Sequence, residues 1–367
     1  MKKLWCFAVL LAVFGLAACG GRNYDDADTV EDEWEYLYLE KEDSKEDEEE
    51  NIAYEEPQFV PPLFSIEGAA YLLERLQIMW DTDNGEMWGV LLHTPVVIVC
   101  GDTQVAVANR PDGFDEFERQ YVRDFAVYVG TRRLWGDYAY RYLGGQEGVI
   151  AAWQWLQSDI VRSTQVAPGN IAALNRLNHT AFHTLQSSIM GVSGGGGMGS
   201  GRDASISYIL EISALLEAVI AEGEARIDAI RDALSIYHAR REIFGTAGVE
   251  NNNKIGEGTV VYTEMHLLLS KDEIVAFARL WPDSLAELAA RGHYSHVAQN
   301  YGYLSATLYG MLLDDLGVDW RSYVIRYSKY TDLGLILQEA LRIEVVPLDE
   351  IDLEKYGYSD IVAQLGL

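Results

Sequence analysis

Cysteine is nearly absent from this chain. Positions 6, 19 and 100 hold the only three in 367 residues. Cys6 and Cys19 fall within the first twenty residues, so Cys100 stands alone in the body. A lone cysteine excludes an intramolecular disulfide framework and argues against a cysteine-based zinc site. It closes the apolar run Val96 to Val99, where nothing in the sequence would lower a thiol pKa, and it reads as a packing residue. Basic residues are also short: 28 Lys and Arg stand against 57 Asp and Glu, a formal net charge of −29. Phosphates would be repelled, which excludes a nucleic-acid partner. The glycine-rich stretch 191–201 lacks the Gly-Lys-Ser/Thr ending of a phosphate loop, which excludes nucleotide binding by that device. After the leader, no uncharged apolar run reaches about 18 residues, so no later membrane span is expected.

What the chain does have begins with that leader. Lys2 and Lys3 precede an apolar stretch of about 13 residues, too short for a stable membrane anchor. It ends Leu16-Ala17-Ala18-Cys19-Gly20, which resembles a bacterial lipobox. The expectation is a signal peptide over 1–18, cleavage before Cys19, and lipidation of that cysteine. Attached acyl chains would tether the protein to a membrane of the bacterial cell envelope, outside the cytoplasm, at about 0.8 kcal/mol per buried methylene. Residues 19–57 then form an acidic tether. From Tyr24 to Pro57 there are 17 acidic residues against two lysines, a net of −15. Such a run repels itself and cannot bury enough apolar surface to order. Trp34, Tyr36, Tyr38 and Leu39 interrupt it as a candidate docking element.

Residues 58–367 read as one domain. The part over 58–144 is mixed. The spacing of Ala70, Leu72, Leu73, Leu76 and Met79 predicts a helix over 66–80. The β-branched runs 94–100 and 103–108 flank Gly101-Asp102 and predict a hairpin. Segments 125–129 and 134–142 are further strand candidates, for a sheet of three or four strands. From 145 onward the pattern is helical, with segments expected at 146–158, 170–190, 204–222, 225–244, 258–269, 271–291, 294–316 and 332–341. Glu250 to Lys254 reads as a polar loop. The fold class is α+β, mainly α.

Within the second helical segment stands Asn178-His179-Thr180-Ala181-Phe182-His183-Thr184-Leu185-Gln186. Two histidines four apart share one helix face, the geometry that offers two imidazoles to one zinc ion. In the peptidase motif H-E-x-x-H, a glutamate follows the first histidine and serves as general base. Thr180 stands there instead, and its hydroxyl cannot take a proton from water near neutral pH. The next helix is apolar nearly all round, from Ile206 to Ile220, yet contains Glu211 and Glu217. A carboxylate buried there needs a cation or donors. Glu211 is the candidate third ligand; Glu217, Asp203 and Glu257 are its rivals. His293 and His296 read as ordinary helix histidines, and Tyr301, Tyr303 and Tyr309 as core.

The chain resembles the H-E-x-x-H zinc metallopeptidase-like proteins of gluzincin type, including a group of bacterial proteins with that motif. The resemblance covers roughly 90–345. It rests on the segment 178–186, on Leu210 to Leu215, on Glu250 through Gly256-Glu257-Gly258 to Glu264, and on 303–317 with Trp320. It implies a helical zincin-like body beside a small antiparallel sheet or hairpin, with zinc held by His179, His183 and Glu211. It implies Glu257 as a supporting or substrate-side carboxylate, and Tyr262 as a donor to a developing oxyanion. With Thr180 in place of the base, hydrolysis is expected to be weak or absent, with a peptide or protein as ligand. The alternative is a lipid-anchored binding or structural module that holds no metal.

Overall fold

The structure is a computed structural model that describes residues 66–100, 105–110, 117–122, 124–131, 138–142, 149–155, 171–191 and 201–366. The leader, Cys19, the acidic tether and most of the glycine-rich stretch lie outside the described residues.

The first helix, α1 (Ile66–Asp83), follows its apolar spacing: Ala69, Ala70, Leu72, Leu73, Leu76, Met79 and Trp80 are buried. Strands β1 (Val96–Cys100), β2 (Val105–Ala108), β3 (Glu118–Val122), β4 (Phe125–Thr131), β5 (Tyr138–Tyr142) and β6 (Val149–Trp155) form one six-stranded sheet, in the order β3-β4-β2-β1-β6-β5. The expected hairpin is present, with β1 and β2 antiparallel in the register Val97 to Ala108.

Two expectations about this part need correction. The sheet is larger than three or four strands and is not purely antiparallel, because β1 and β6 pair in parallel, Val96 beside Ala151. Segment 146–158 was expected as helix, yet Val149–Trp155 is a strand. A short apolar run with no flanking caps has no period long enough to separate a helix from a strand. The aromatic and β-branched content of Val149, Ile150, Trp153 and Trp155 suits a pleated surface.

The helical part comprises α2 (Ile171–Met190), α3 (Arg202–Ile220), α4 (Gly223–Phe244) and α5 (Ala247–Asn253). A five-residue π-turn (Lys254–Gly258) then leads into α6 (Thr259–Leu268). After it come α7 (Lys271–Ala278), α8 (Trp281–Ala290), α9 (Tyr294–Asp315), α10 (Trp320–Tyr327), α11 (Leu333–Leu341) and α12 (Tyr358–Gln364). Helix α3 is buried nearly all round and packs against α4, α8 and α9. Each fully buried Leu or Ile there contributes about 1.5–3 kcal/mol. Helix α9 is equally enclosed, with every residue from Asn300 to Leu313 buried. No described helix is long and apolar enough to cross a membrane.

Three further differences have local causes. Segment 271–291 is two helices, because Pro282 lacks the N–H that a continuous helix would need and instead begins α8. Helices α10 and α12 were not expected. The presumed polar loop at 250–254 is helix and π-turn, so the chain runs helically from Ala247 to Leu268. Asparagine is a weak helix former, but here partners outside the segment hold it. Asn251 accepts from Arg241 and donates to Asp332 at 3.2 Å, and Glu250 pairs with Arg240 at 2.8 Å.

Two tryptophans fix the elements that matter for the site. Trp80 of α1 donates its indole N–H to Asn178 Oδ1 on α2 at 3.1 Å. Trp88 donates to Thr263 Oγ1 on α6 at 2.9 Å. Helix α1 also packs on β2, β3 and β4, while α2 packs on β6 and α6. The sheet thus backs α2, which carries both histidines, directly through β6 and by way of α1.

Candidate metal centre

Helix α2 places His179 and His183 on one face, one turn apart, and both are buried. Their Nε2 atoms lie 3.0 Å from each other. The π-turn brings Glu257, also buried, to the same point. Its Oε2 is 3.4 Å from His183 Nε2 and 3.8 Å from His179 Nε2. Tetrahedral zinc with bonds of about 2.0–2.2 Å places neighbouring ligand atoms roughly 3.3–3.6 Å apart. The three separations bracket that range. This group can hold a metal ion.

The groups behind the imidazoles set their protonation. Gln186 Nε2 donates to the Ile255 carbonyl at 2.8 Å and to Thr259 Oγ1 at 2.9 Å. The Gln186 oxygen therefore faces His183 Nδ1, at 3.0 Å, and requires Nδ1–H there. His179 Nδ1 lies 2.9 Å from Glu264 Oε1, and an ionised Glu264 would keep the ring hydrogen on Nδ1. Both Nε2 atoms then present lone pairs to each other and to a carboxylate oxygen. Such a convergence in a dry interior is stable only around a cation, whether a metal ion or a shared proton. A carboxylate or amide on the far nitrogen is also the usual support of a metal-bound histidine. Burial raises the Glu264 carboxyl above its ordinary pKa, and His179 beside it acts in the opposite direction. Asn175, one turn before His179, is 2% exposed, and its side-chain amide has no hydrogen-bond partner among the described residues. The polar character of this helix face thus extends a turn beyond the imidazoles.

The third member of the cluster differs from the one expected. Glu211 does not join the histidines. It is fully buried in a separate network, accepting from Arg240 and from the hydroxyls of Tyr301 and Tyr309 at 2.8 Å each. Its need for donors, inferred from its place on an apolar helix, is met by these groups rather than by a metal. The rivals Glu217 and Asp203 are exposed. Glu257, the rival from outside the helix, is the one that converges, where the resemblance implied a supporting or substrate-side carboxylate. Tyr262 does not offer a free donor. Its hydroxyl donates to Asp314 and accepts from Arg321, and burial pushes its pKa up. Thr180 is buried and brings no carboxylate. His293 and His296 lie together at the start of α9, their rings 5.6 Å apart.

Glu264 and Lys254 were missed in the sequence. Glu257 and Glu264 are seven apart, which puts both on one side of a helix after two turns. That signal was hidden because the helix was taken to begin at Gly258. Comparison of the chain with protein-family models, curated proteins and solved structures found no match.

Proposed function

We propose that this chain is a zinc-binding, peptidase-like protein of the bacterial cell envelope, lipid-anchored through Cys19, that binds peptide or protein ligands and hydrolyses them weakly or not at all. The observation that carries the reading is the convergence of His179 Nε2, His183 Nε2 and Glu257 Oε2 within 3.8 Å of one another. Two imidazoles and one carboxylate are a common donor set for zinc with a position left open. Bound zinc would supply Lewis acidity at that position. The chain's own residues then divide the remaining work. Glu264 and Gln186 hold each imidazole with Nε2 deprotonated and aimed inward. Trp80 fixes the register of α2, and Trp88 that of α6.

Among the described residues, no further proton acceptor stands beside the position left open. Glu257 is committed as a ligand, Glu264 faces the far nitrogen of His179, and position 180 carries a hydroxyl. This favours binding over turnover. Metal analysis of the purified full-length protein tests the reading. One tightly held zinc per chain is expected, lost in His183→Ala. A chain that takes up no zinc at any loading leaves a lipid-anchored binding or structural module.

A further inference from the structure

Lys254 is 1% exposed and sits on the same π-turn as Glu257. Its ammonium has no hydrogen-bond partner among the described residues. It lies 3.7 Å from Glu211 Oε1 and over the rings of Tyr237, Tyr301 and Tyr309, 4.7–4.9 Å from each centroid. A tyrosine cage of this kind attracts a cation through the ring quadrupoles. Burial lowers the amine pKa to about 8, with Glu211 opposing. Glu211 already has Arg240 and two hydroxyls, so Lys254 is not needed to satisfy it. An apolar side chain of equal length would fill the cage without a charge to desolvate.

The backbone gives this lysine a second role. In an α-helix, residues three apart stand roughly 300° apart around the axis. The wider i→i+5 turn reduces that by roughly 50°. Within this wider turn one segment directs Lys254 into the tyrosine cage and Glu257 onto the histidines. The turn is also pressed against α9. A Cβ on Gly258 would lie 2.4 Å from Ala306 Cβ and 2.6 Å from the Gly302 carbonyl oxygen. Asn253 Oδ1 fills the space where a Cβ on Gly302 would sit.

We infer that Lys254 is a positioning residue for the metal centre: its ammonium, seated among Tyr237, Tyr301, Tyr309 and Glu211, holds the turn in its π register and so holds Glu257 Oε2 against the two imidazoles. The inference rests on the reading of His179, His183 and Glu257 as a metal site.

Cobalt(II) titration of the full-length protein, followed by its visible absorption, tests it. The wild type takes one equivalent with a tetrahedral spectrum. Lys254→Met, with unchanged helical circular dichroism, binds about 10–100-fold more weakly, the range for groups that orient a ligand, and its absorption band shifts. Equal affinity with an unchanged band overturns the inference and leaves the metal site standing. No cobalt uptake by the wild type overturns both. Should Lys254→Met not fold, hydrogen exchange of the wild type decides. Cobalt slows exchange at the amides of Arg240 and Arg241, which touch none of the three ligands. Unchanged exchange there overturns the inference.

Discussion

At the scale of single residues, the proposed reading turns on position 180. The helix face that presents both imidazoles is intact, and both far nitrogens are supported. A glutamate at 180 would follow the first histidine, where the peptidase motif carries its base. General-base help is typically worth about 10²–10⁴-fold. Thr180→Glu is therefore expected to raise hydrolysis of a general peptide substrate by about that factor, measured against His183→Ala as background. A variant that binds zinc and still shows no turnover would mean the missing base is not the only defect. The same residues show what could be read in advance. His179 and His183 needed only the four-residue spacing. The third ligand did not follow from spacing, because Glu211 and Glu257 are both buried acids near the right elements. What separated them is that Arg240, far along the sequence, had already claimed Glu211.

At the scale of elements, the buried ionic network is what joins α3, α4, α5, α9 and α11. Arg240 reaches both Glu211 and Glu250, and Arg241 reaches Glu250 at 2.9 Å and Asp332 at 2.5 Å. Removing one partner of a buried pair strands the other, at about 3–5 kcal/mol. Arg240→Ala removes the closest cation from both Glu211 and Glu250, leaving Arg241 on Glu250 and the Tyr301 and Tyr309 hydroxyls on Glu211, so a loss of about that size is expected in urea unfolding. A loss within the about 1 kcal/mol of a surface ion pair would show that the network is solvated.

The network also sets an acid limit. Burial alone would raise the Glu250 carboxyl, but the guanidinium of Arg240 holds it well below its ordinary 4.5. A folded-state pKa below the unfolded one gives stability that is complete above about pH 4.5 and lost as pH falls further. Glu250→Gln should therefore show a shallower fall in stability from pH 5 downward. Parallel falls would assign the acid limit to other groups. Most elements were legible because their apolar period is long. The exceptions include β6, too short to show a period, the short helices α10 and α12, and α5 with its π-turn, where Asn251 is met by Arg241 and Asp332 from outside the segment.

At the scale of the whole molecule, charge and anchoring make one argument. About half of the net −29 falls between Tyr24 and Pro57. On the proposed reading, a segment of that sign would be repelled by an anionic lipid surface. Retention at a membrane would then depend on the lipid proposed at Cys19. One acyl chain holds a protein only marginally, whereas two or more chains hold it stably, at about 0.8 kcal/mol per methylene. The wild type is thus expected in the membrane fraction, resistant to a high-salt wash and extracted by detergent. Cys19→Ser, which removes the acceptor of the lipid, should move the folded protein into the salt-soluble fraction while its zinc content stays the same. A Cys19→Ser protein that still sediments with membranes and resists salt would remove the lipid anchor from the account. The proposed metal site would be untouched by that result, since its three candidate ligands lie on α2 and the π-turn.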